Sequence, residues 1–381
     1  MKPFTFQTVP DIRFGVGATA TLPDMLRGRG AKRVLLVTDK GIRGAGLLAP
    51  VEEALSGAGL SVTVFDEVVA DPPEDMVLRC GEAAKDKDAV IGLGGGSPLD
   101  TAKLAALLAK GQQPLSEMYG VDQVRAERLP LILIPTTAGT GSEVTPIAIV
   151  TTGETTKSGV VSPALYADAA LLDPALTRGL PAEVTAATGV DAMVHAIEAY
   201  TTAHKKNPVS DALAREALRL LSVHVRGAFE DGNNDDHRGG AMLGAMLAGQ
   251  AFANAPVAAV HALAYPLGGR FHLPHGLTNS LVLPHVLRFN LPAAAPLYAE
   301  LAEDVAGHAE GSVEARAEAF VGAMEDICEA VGMRRRLREF GISHNHLPDL
   351  AEDAMLQTRL LQNNPREVTL EDARGIYERA W

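Results

Sequence analysis

Asp191 and His195 stand four residues apart in an apolar run, GVDAMVHAIEAY at residues 189–200. The run reads as helix, so both side chains leave one face a turn apart. That spacing makes a two-ligand pincer for a metal ion. Val190, Ala192, Met193, Val194, Ala196 and Ile197 surround the pair, and an unpaired carboxylate buried among them would be costly, so something must neutralise it. His261 ends a second helical segment. His275 follows beyond a Pro- and Gly-rich loop, HALAYPLGGRFHLPHG, that can bring it back to the same place. One carboxylate and three imidazoles suit Fe(II), Zn or Ni better than Mg or Ca, which prefer oxygen throughout. Any one of these histidines alone reads as an ordinary core or surface residue; the Asp191–His195 pairing is what points to a metal.

The elements that must carry these residues change character partway along the chain. In the first half a short opening strand is followed by an apolar strand over residues 34–42 (VLLVTDKGI), a helix over 45–56, a strand over 61–65, an Asp71-Pro72-Pro73 turn and a helix to about residue 85. Such alternation builds a parallel sheet. Residues 89–93 form the next strand, Gly94-Gly95-Gly96-Ser97 a turn, and 98–110 a helix with proline in its first turn. Bare N–H groups at the positive end of a helix suit a diphosphate, because glycine puts no side chain in the way. The spacing is neither that of a P-loop nor a clean GxGxxG. A second loop supports the same ligand: the strand at 131–134 runs into PTTAGTGSEVTP, where Thr136, Thr137, Thr140 and Ser142 gather hydroxyls around glycines. The two loops together favour a dinucleotide. Asp39 stands at a strand's carboxyl end, where an acid can hydrogen-bond the adenosine ribose and would repel a 2′-phosphate, favouring NAD over NADP. This half closes with residues 147–152, a polar loop containing Lys157, and residues 169–173.

From about residue 180 nearly every segment has apolar residues at three and four spacing: 181–200, 210–229, 237–254 and 315–331. Gly239, Gly240, Gly244 and Gly249 inside one of these helices lower its propensity and imply close packing or ligand approach. Thr369 is a candidate N-cap for a final helix. The expected fold is therefore an α/β, Rossmann-like dinucleotide-binding domain over residues 1–179 and an all-helical metal-binding domain over 180–381.

A chain of 381 residues is long enough for two domains. Apolar residues make up 47% and aromatics only 4%, so Ala, Leu and Val must dominate the core. A net charge of -13 argues against nucleic acid, which needs a basic surface. Cys80 and Cys328 form no zinc or CxxC spacing and fit a reducing compartment. The first eighteen residues contain no apolar signal core, and the expected location is the cytoplasm. Residues 239–269 lack Asp, Glu, Lys and Arg over more than the ~20 residues a membrane span requires. Gln250, Asn254, Pro256 and His261 punctuate that run, and buried helices of a soluble core explain it better than a membrane.

GGGSPLDTAK, PTTAGTGSEVTP, LLDPALT, ATGVDAMVHAIEAY, HALAYPLGG, PHGLTNSLVLPHVLRFN and NPREVTLED, in that order, resemble the iron-containing (group III) alcohol dehydrogenase family along the whole chain. The resemblance implies a dehydroquinate synthase-like architecture, with Asp191, His195, His261 and His275 as metal ligands. It implies cofactor contacts at Asp39, Gly95, Gly96, Ser97, Thr136, Thr137, Thr140, Lys157 and Leu176, and places Phe252 between nicotinamide and metal. NAD and a divalent ion, Fe(II) ahead of Zn, would be the cofactors, and a homodimer or larger homo-oligomer the assembly. One position departs from the family pattern. Where many members have a second histidine four residues after the third ligand, this chain has Tyr265, whose reference pKa near 10 makes it a poorer base at neutral pH. His272 and His285 read as surface or core residues.

The activity so implied is reversible hydride transfer between NAD(H) and a small primary alcohol or aldehyde held by the metal in a cleft between the domains, with Phe252, Tyr265 and His275 at the reacting centre. A hydroxyacid–oxoacid transhydrogenase is the nearest alternative and a silent NAD-binding sensor a remote one. Dehydroquinate synthase chemistry needs several basic residues for carboxylate and phosphate, and residues 182–276 contain few.

Overall fold

Val34, Leu35, Leu36 and Val37 have no solvent exposure, as strand residues covered on both faces must. The computed structural model describes residues 3–153, 156–307 and 309–381. The chain divides into two units, one of Gln7–Gly179 and one of Leu180–Trp381 joined by residues 3–6. In the first, the strands are β1 (Ile12–Phe14), β2 (Arg33–Asp39), β3 (Ser61–Val68), β4 (Ala89–Gly94), β5 (Gly120–Val121), β6 (Leu131–Pro135), β7 (Ile147–Thr152), β8 (Thr156–Val161) and β9 (Ala169–Leu172). Six of them form a parallel sheet in the order β1-β9-β6-β4-β2-β3, and β5, β8 and β7 form a smaller one.

The helices here are α1 (Leu22–Gly28), α2 (Lys40–Gly44), α3 (Leu48–Gly57), α4 (Glu74–Ala84) and α5 (Gly96–Leu108). Leu26 of α1 and Leu55 of α3 pack with Leu36, Ile91 and Ile134 on one face of the large sheet. Leu99 and Ala102 of α5 approach the other face at Gly92 and Leu133. The chain runs from β2 to β3 on one side and then crosses to β4 on the other, so a topological switch point lies between the carboxyl ends of β2 and β4. Open parallel sheets bind ligands at such points.

Three of the differences from the sequence expectation bear on the glycine and threonine loops and their neighbours. The strand expected through residue 42 stops at Asp39, because the Asp39 carboxylate accepts the Ile42 N–H at 2.9 Å and starts α2. The helix expected from Pro98 begins at Gly96, with Gly95 as N-cap; proline sits comfortably inside that first turn, where an N–H has no intrahelical partner anyway. Lys157 lies in β8, paired antiparallel with β7, rather than in a polar loop.

The second unit contains α6 (Ala182–Thr201), α7 (Pro208–Glu230), α8 (Asp235–Asn254), α9 (Ala259–Phe271), α10 (His275–Ala306), α11 (Val313–Ala330), α12 (Leu347–Met355), α13 (Thr358–Leu361) and α14 (Leu370–Ala380). Thr369 caps α14, accepting the Asp372 N–H. Gly240 and Gly244 of α8 sit where a Cβ would fall 2.2 Å from His224 and 2.8 Å from Leu221 of α7, the close packing their sequence positions imply. No single described helix is long and apolar enough to cross a membrane. The charge-poor run is broken between α8 and α9, which meet at 105°.

Candidate metal centre and cofactor loops

The apolar helix α6 carries Asp191 and His195 on one face, both buried. His261 is the third residue of α9, not the end of a helix as the sequence suggested. The chain breaks after Asn254, and the new helix presents His261 in its first turn. His275 begins α10, and most of the stretch before it, expected as a loop, is the helix α9 itself. The next residue, Gly276, lets the start of α10 press against α6: a Cβ there would lie 2.3 Å from the Ala187 carbonyl oxygen, one turn before Asp191. No other residue type permits that approach.

The outcome is convergence. The Nε2 atoms of His195, His261 and His275 lie 3.9, 3.9 and 3.7 Å from Asp191 Oδ1, and one ligand atom from each of the four residues falls within 4.8 Å of every other. Four donors on a tetrahedral ion, each about 2.1 Å from it, stand roughly 3.4 Å apart, so the set needs only small side-chain rotations to close. Burial opposes a charged Asp191, yet the imidazoles of His195, His275 and His261 and the Asn279 amide outweigh it and hold the carboxyl below its usual value. A buried carboxylate faced by three nitrogen donors fits a divalent transition ion.

Two neighbours tune this set, and the sequence reading missed both. Glu198 Oε2 is 2.7 Å from His261 Nδ1, and its Oε1 accepts the Val260 N–H at 2.7 Å. One acid thus caps α9 and holds the His261 ring by Nδ1, and in the neutral ring a proton on Nδ1 leaves the Nε2 lone pair toward Asp191. Burial works against a charged His261, but Glu198 and Asp191 raise its pKa all the same. Asn279 donates to Asp191 Oδ1 at 2.5 Å. Spacing could have found them. Glu198 is seven residues after Asp191 on the same helix face, and Asn279 is four after His275.

Aromatic rings wall the site. Phe252 of α8 stacks on His195 at 4.3 Å between ring centroids, and Tyr265 lies one turn after His261, its ring 5.9 Å from that of His275. The His275 side chain is 42% exposed, whereas those of Asp191, His195 and His261 are nearly inaccessible. His272 is exposed at the end of α9, and His285 is partly buried in α10.

In the first unit Asp39, Gly95, Gly96 and Ser97 line one cavity of about 900 Å³ at the switch point, together with Lys40 and Glu67. Gly94 has φ +149°, and a Cβ there would meet Pro98 at 2.7 Å, so the β4–α5 turn is one that only glycine makes comfortably. The threonine loop joins this turn. Thr136 N–H donates to the Gly94 carbonyl, and Thr137 and Thr140 lie 3.7 and 3.0 Å from Cβ positions built at Gly95 and Gly96. Thr136, Thr137, Thr140, Lys157 and Leu176 do not line the cavity itself. Lys157 pairs with Asp71, and Leu176 packs against the core beneath the sheet. Ser142 turns inward, away from the ligand role its sequence suggested, and bonds Asp100 and Lys103. Glu67 is a second acid that sequence did not flag. It is placed by three further residues of β3, whose Val68 pairs with Asp39.

Known proteins resemble this chain in both halves. Residues 10–174 match the family described as iron-containing alcohol dehydrogenase, and residues 185–381 match the Fe-containing alcohol dehydrogenase family, C-terminal. The chain is 42% identical to long-chain-alcohol dehydrogenase 1 of Geobacillus thermodenitrificans, over 84% of this chain and 82% of the other. It is 37% identical to the sulfoacetaldehyde reductase of Bilophila wadsworthia, over 83% of each. The crystal structure of a 1,3-propanediol oxidoreductase superposes with a TM-score of 0.95 at 34% identity, covering 100% of both chains. Both halves and the whole fold agree, and the chain belongs to the iron-containing alcohol dehydrogenase family of oxidoreductases.

Proposed function

We propose that this chain catalyses reversible hydride transfer between NAD(H) and a small primary alcohol or aldehyde, using a divalent cation held by Asp191, His195, His261 and His275. The observation that carries this reading is the convergence of four ligand atoms within 4.8 Å, with His261 Nδ1 held by Glu198 at 2.7 Å. When bound, the cation supplies Lewis acidity and the nicotinamide supplies hydride acceptance and donation. Asp191 offsets part of the added charge. His275, the exposed ligand, marks the side open to substrate, while Phe252 covers His195 and keeps water from that face. Tyr265 places a phenol beside His275 as a group that can exchange a proton at its hydroxyl.

Asp39 and Glu67 put two acids in the cavity of the glycine turn, and their charge supports NAD over NADP. Fe(II) is the ion we favour, supported by the family's description, although the ligand set accepts Zn, Ni or Mn as well. The resemblance also supports a homo-oligomer, which light scattering measures.

The test is anaerobic purification with elemental analysis, followed by NADH absorbance with aldehydes before and after chelation. The panel should span short and long chains and an anionic aldehyde, since the relatives include enzymes named for long-chain alcohols and sulfoacetaldehyde. One metal per chain, with turnover removed by chelator and restored by Fe(II), is the expected result. Turnover that persists in metal-free protein would overturn the reading and make the four ligands mere pocket residues.

A further inference from the structure

Beneath the two glycine loops lies a lysine with no solvent exposure. Lys103, in the second turn of α5, brings its Nζ to 2.7 Å from Ser142 Oγ, 2.6 Å from the Ile147 carbonyl oxygen, and 3.3 Å from both Asp100 Oδ1 and Thr145 Oγ1. Asp100 is shared in turn, its Oδ1 accepting Ser142 Oγ at 2.6 Å and its Oδ2 the Ile149 N–H at 3.0 Å. A single ion pair therefore binds three elements: the helix that begins at Gly96, the turn Ser142–Val144 that closes the threonine loop, and the start of β7.

An ammonium is expensive to desolvate, and a buried ion pair commonly contributes less stability than apolar side chains of the same size. A loop that had only to turn would not need one. Burial disfavours the charged lysine, and Asp100 and Glu143 pull the other way. Burial prevails and lowers the lysine's pKa, and it raises the buried Glu143 carboxyl to about 7, so Asp100 is the lysine's ion-pair partner here. Directly above this network the loops touch. Thr140 Cγ2 is 3.0 Å from a Cβ built at Gly96, and the Ser142 N–H donates to Thr140 Oγ1 at 3.3 Å. The Lys103 contacts are thus linked through Ser142 and Thr140 to the Gly95–Gly96 turn.

We propose that Lys103 and Asp100 are positioning residues for the cofactor, holding the glycine turn and the threonine loop at the separation a diphosphate requires. Neither side chain lines the cavity of the glycine turn. They act by removing the conformational freedom that the loops would otherwise lose on binding, which is how preorganisation raises affinity. This rests on the reading of the two loops as a dinucleotide site, so the experiment must let either idea fail separately.

The measurement is NADH and ADP binding to the metal-loaded enzyme, by NADH fluorescence and by competition with ADP, for the parent, Lys103→Met and Ser142→Ala. Ser142→Ala deletes one hydroxyl and keeps the fold if Lys103→Met does not. We expect weaker binding of both ligands, by roughly tenfold for Lys103→Met and a few-fold for Ser142→Ala, with KM for the cofactor rising more than kcat falls and metal content unchanged. A parent that binds NADH and ADP, with variants that bind them equally well despite a lower melting temperature, would overturn the positioning role alone and leave a structural ion pair. A parent that binds neither ligand would overturn the dinucleotide site and this proposal with it.

Discussion

Glu198 serves two donors that an amide could not both satisfy. Its Oε2 accepts from His261 Nδ1 and its Oε1 from the Val260 N–H, each at 2.7 Å, with all three residues buried. In Glu198→Gln the shape is kept but one acceptor becomes an NH2 group, which must face either the imidazole or the backbone N–H. If it faces His261, the ring's proton moves to Nε2 and points into the ligand cluster, where it blocks a cation. If it faces Val260, the first turn of α9 loses its cap and His261 shifts with it. Losing a hydrogen bond to a charged group costs about 1.5–3 kcal/mol, and removing the carboxylate behind a ligating histidine typically weakens metal binding about 10–100-fold. At ~1.4 kcal/mol per tenfold, these two magnitudes agree. We therefore expect the metal Kd, measured by competition with a chelator, to rise about 10–100-fold with an unchanged circular dichroism spectrum. A Glu198→Gln protein that holds its ion within about twofold of the parent would refute the idea that this carboxylate sets the tautomer.

Other perturbations probe the remaining parts. His261→Ala should remove metal and activity together, as read by elemental analysis and NADH absorbance; full activity without metal would sink the proposed chemistry. Tyr265→Phe deletes only a hydroxyl beside His275, and because an ordinary phenol is a weak base at neutral pH we expect turnover to fall less than about tenfold. A loss of 10²-fold or more would instead make Tyr265 the proton relay. Asp39→Ala should raise the NADP-to-NAD ratio of kcat/KM about tenfold by removing one like-charge contact of ~1.4 kcal/mol, and should also weaken the α2 cap by about 1 kcal/mol. His285 is held neutral, its pKa lowered to about 4 by burial and by Arg379. A depressed imidazole contributes stability that is present above its unfolded value near 6.5 and lost as pH falls toward 4. His285→Gln should therefore flatten the acid limb of the melting-temperature profile between those values, and an unchanged limb would contradict the assignment.

The clustering of Asp191 with His195 was legible in sequence because a carboxylate in an apolar helix demands a partner. Asp191 could not be buried among Val190, Met193 and Val194 without one, and His195 four residues on named the face. The same reasoning, carried one turn further, reaches Glu198, which is an acid on that face of the same helix. What spacing could not show is that its partner would be the first turn of α9, since that helix starts only after the chain breaks at Asn254. Periodicity locates helices better than the irregular residues between them, and His261 was misplaced within its helix for that reason. The glycine turn after β4 was legible, but its relation to the threonine loop was not. Ser142 and Thr140 are two residues apart and both hydroxylic, and nothing local separates the one facing inward from the one packed on Gly96. The distinction comes from Lys103 and Asp100, about forty residues earlier in the chain, which meet Ser142 only because the sheet sets β4 beside β6. Residue types along a helix face thus reveal chemistry confined to one element, whereas chemistry that depends on strand order appears only when the sheet is assembled.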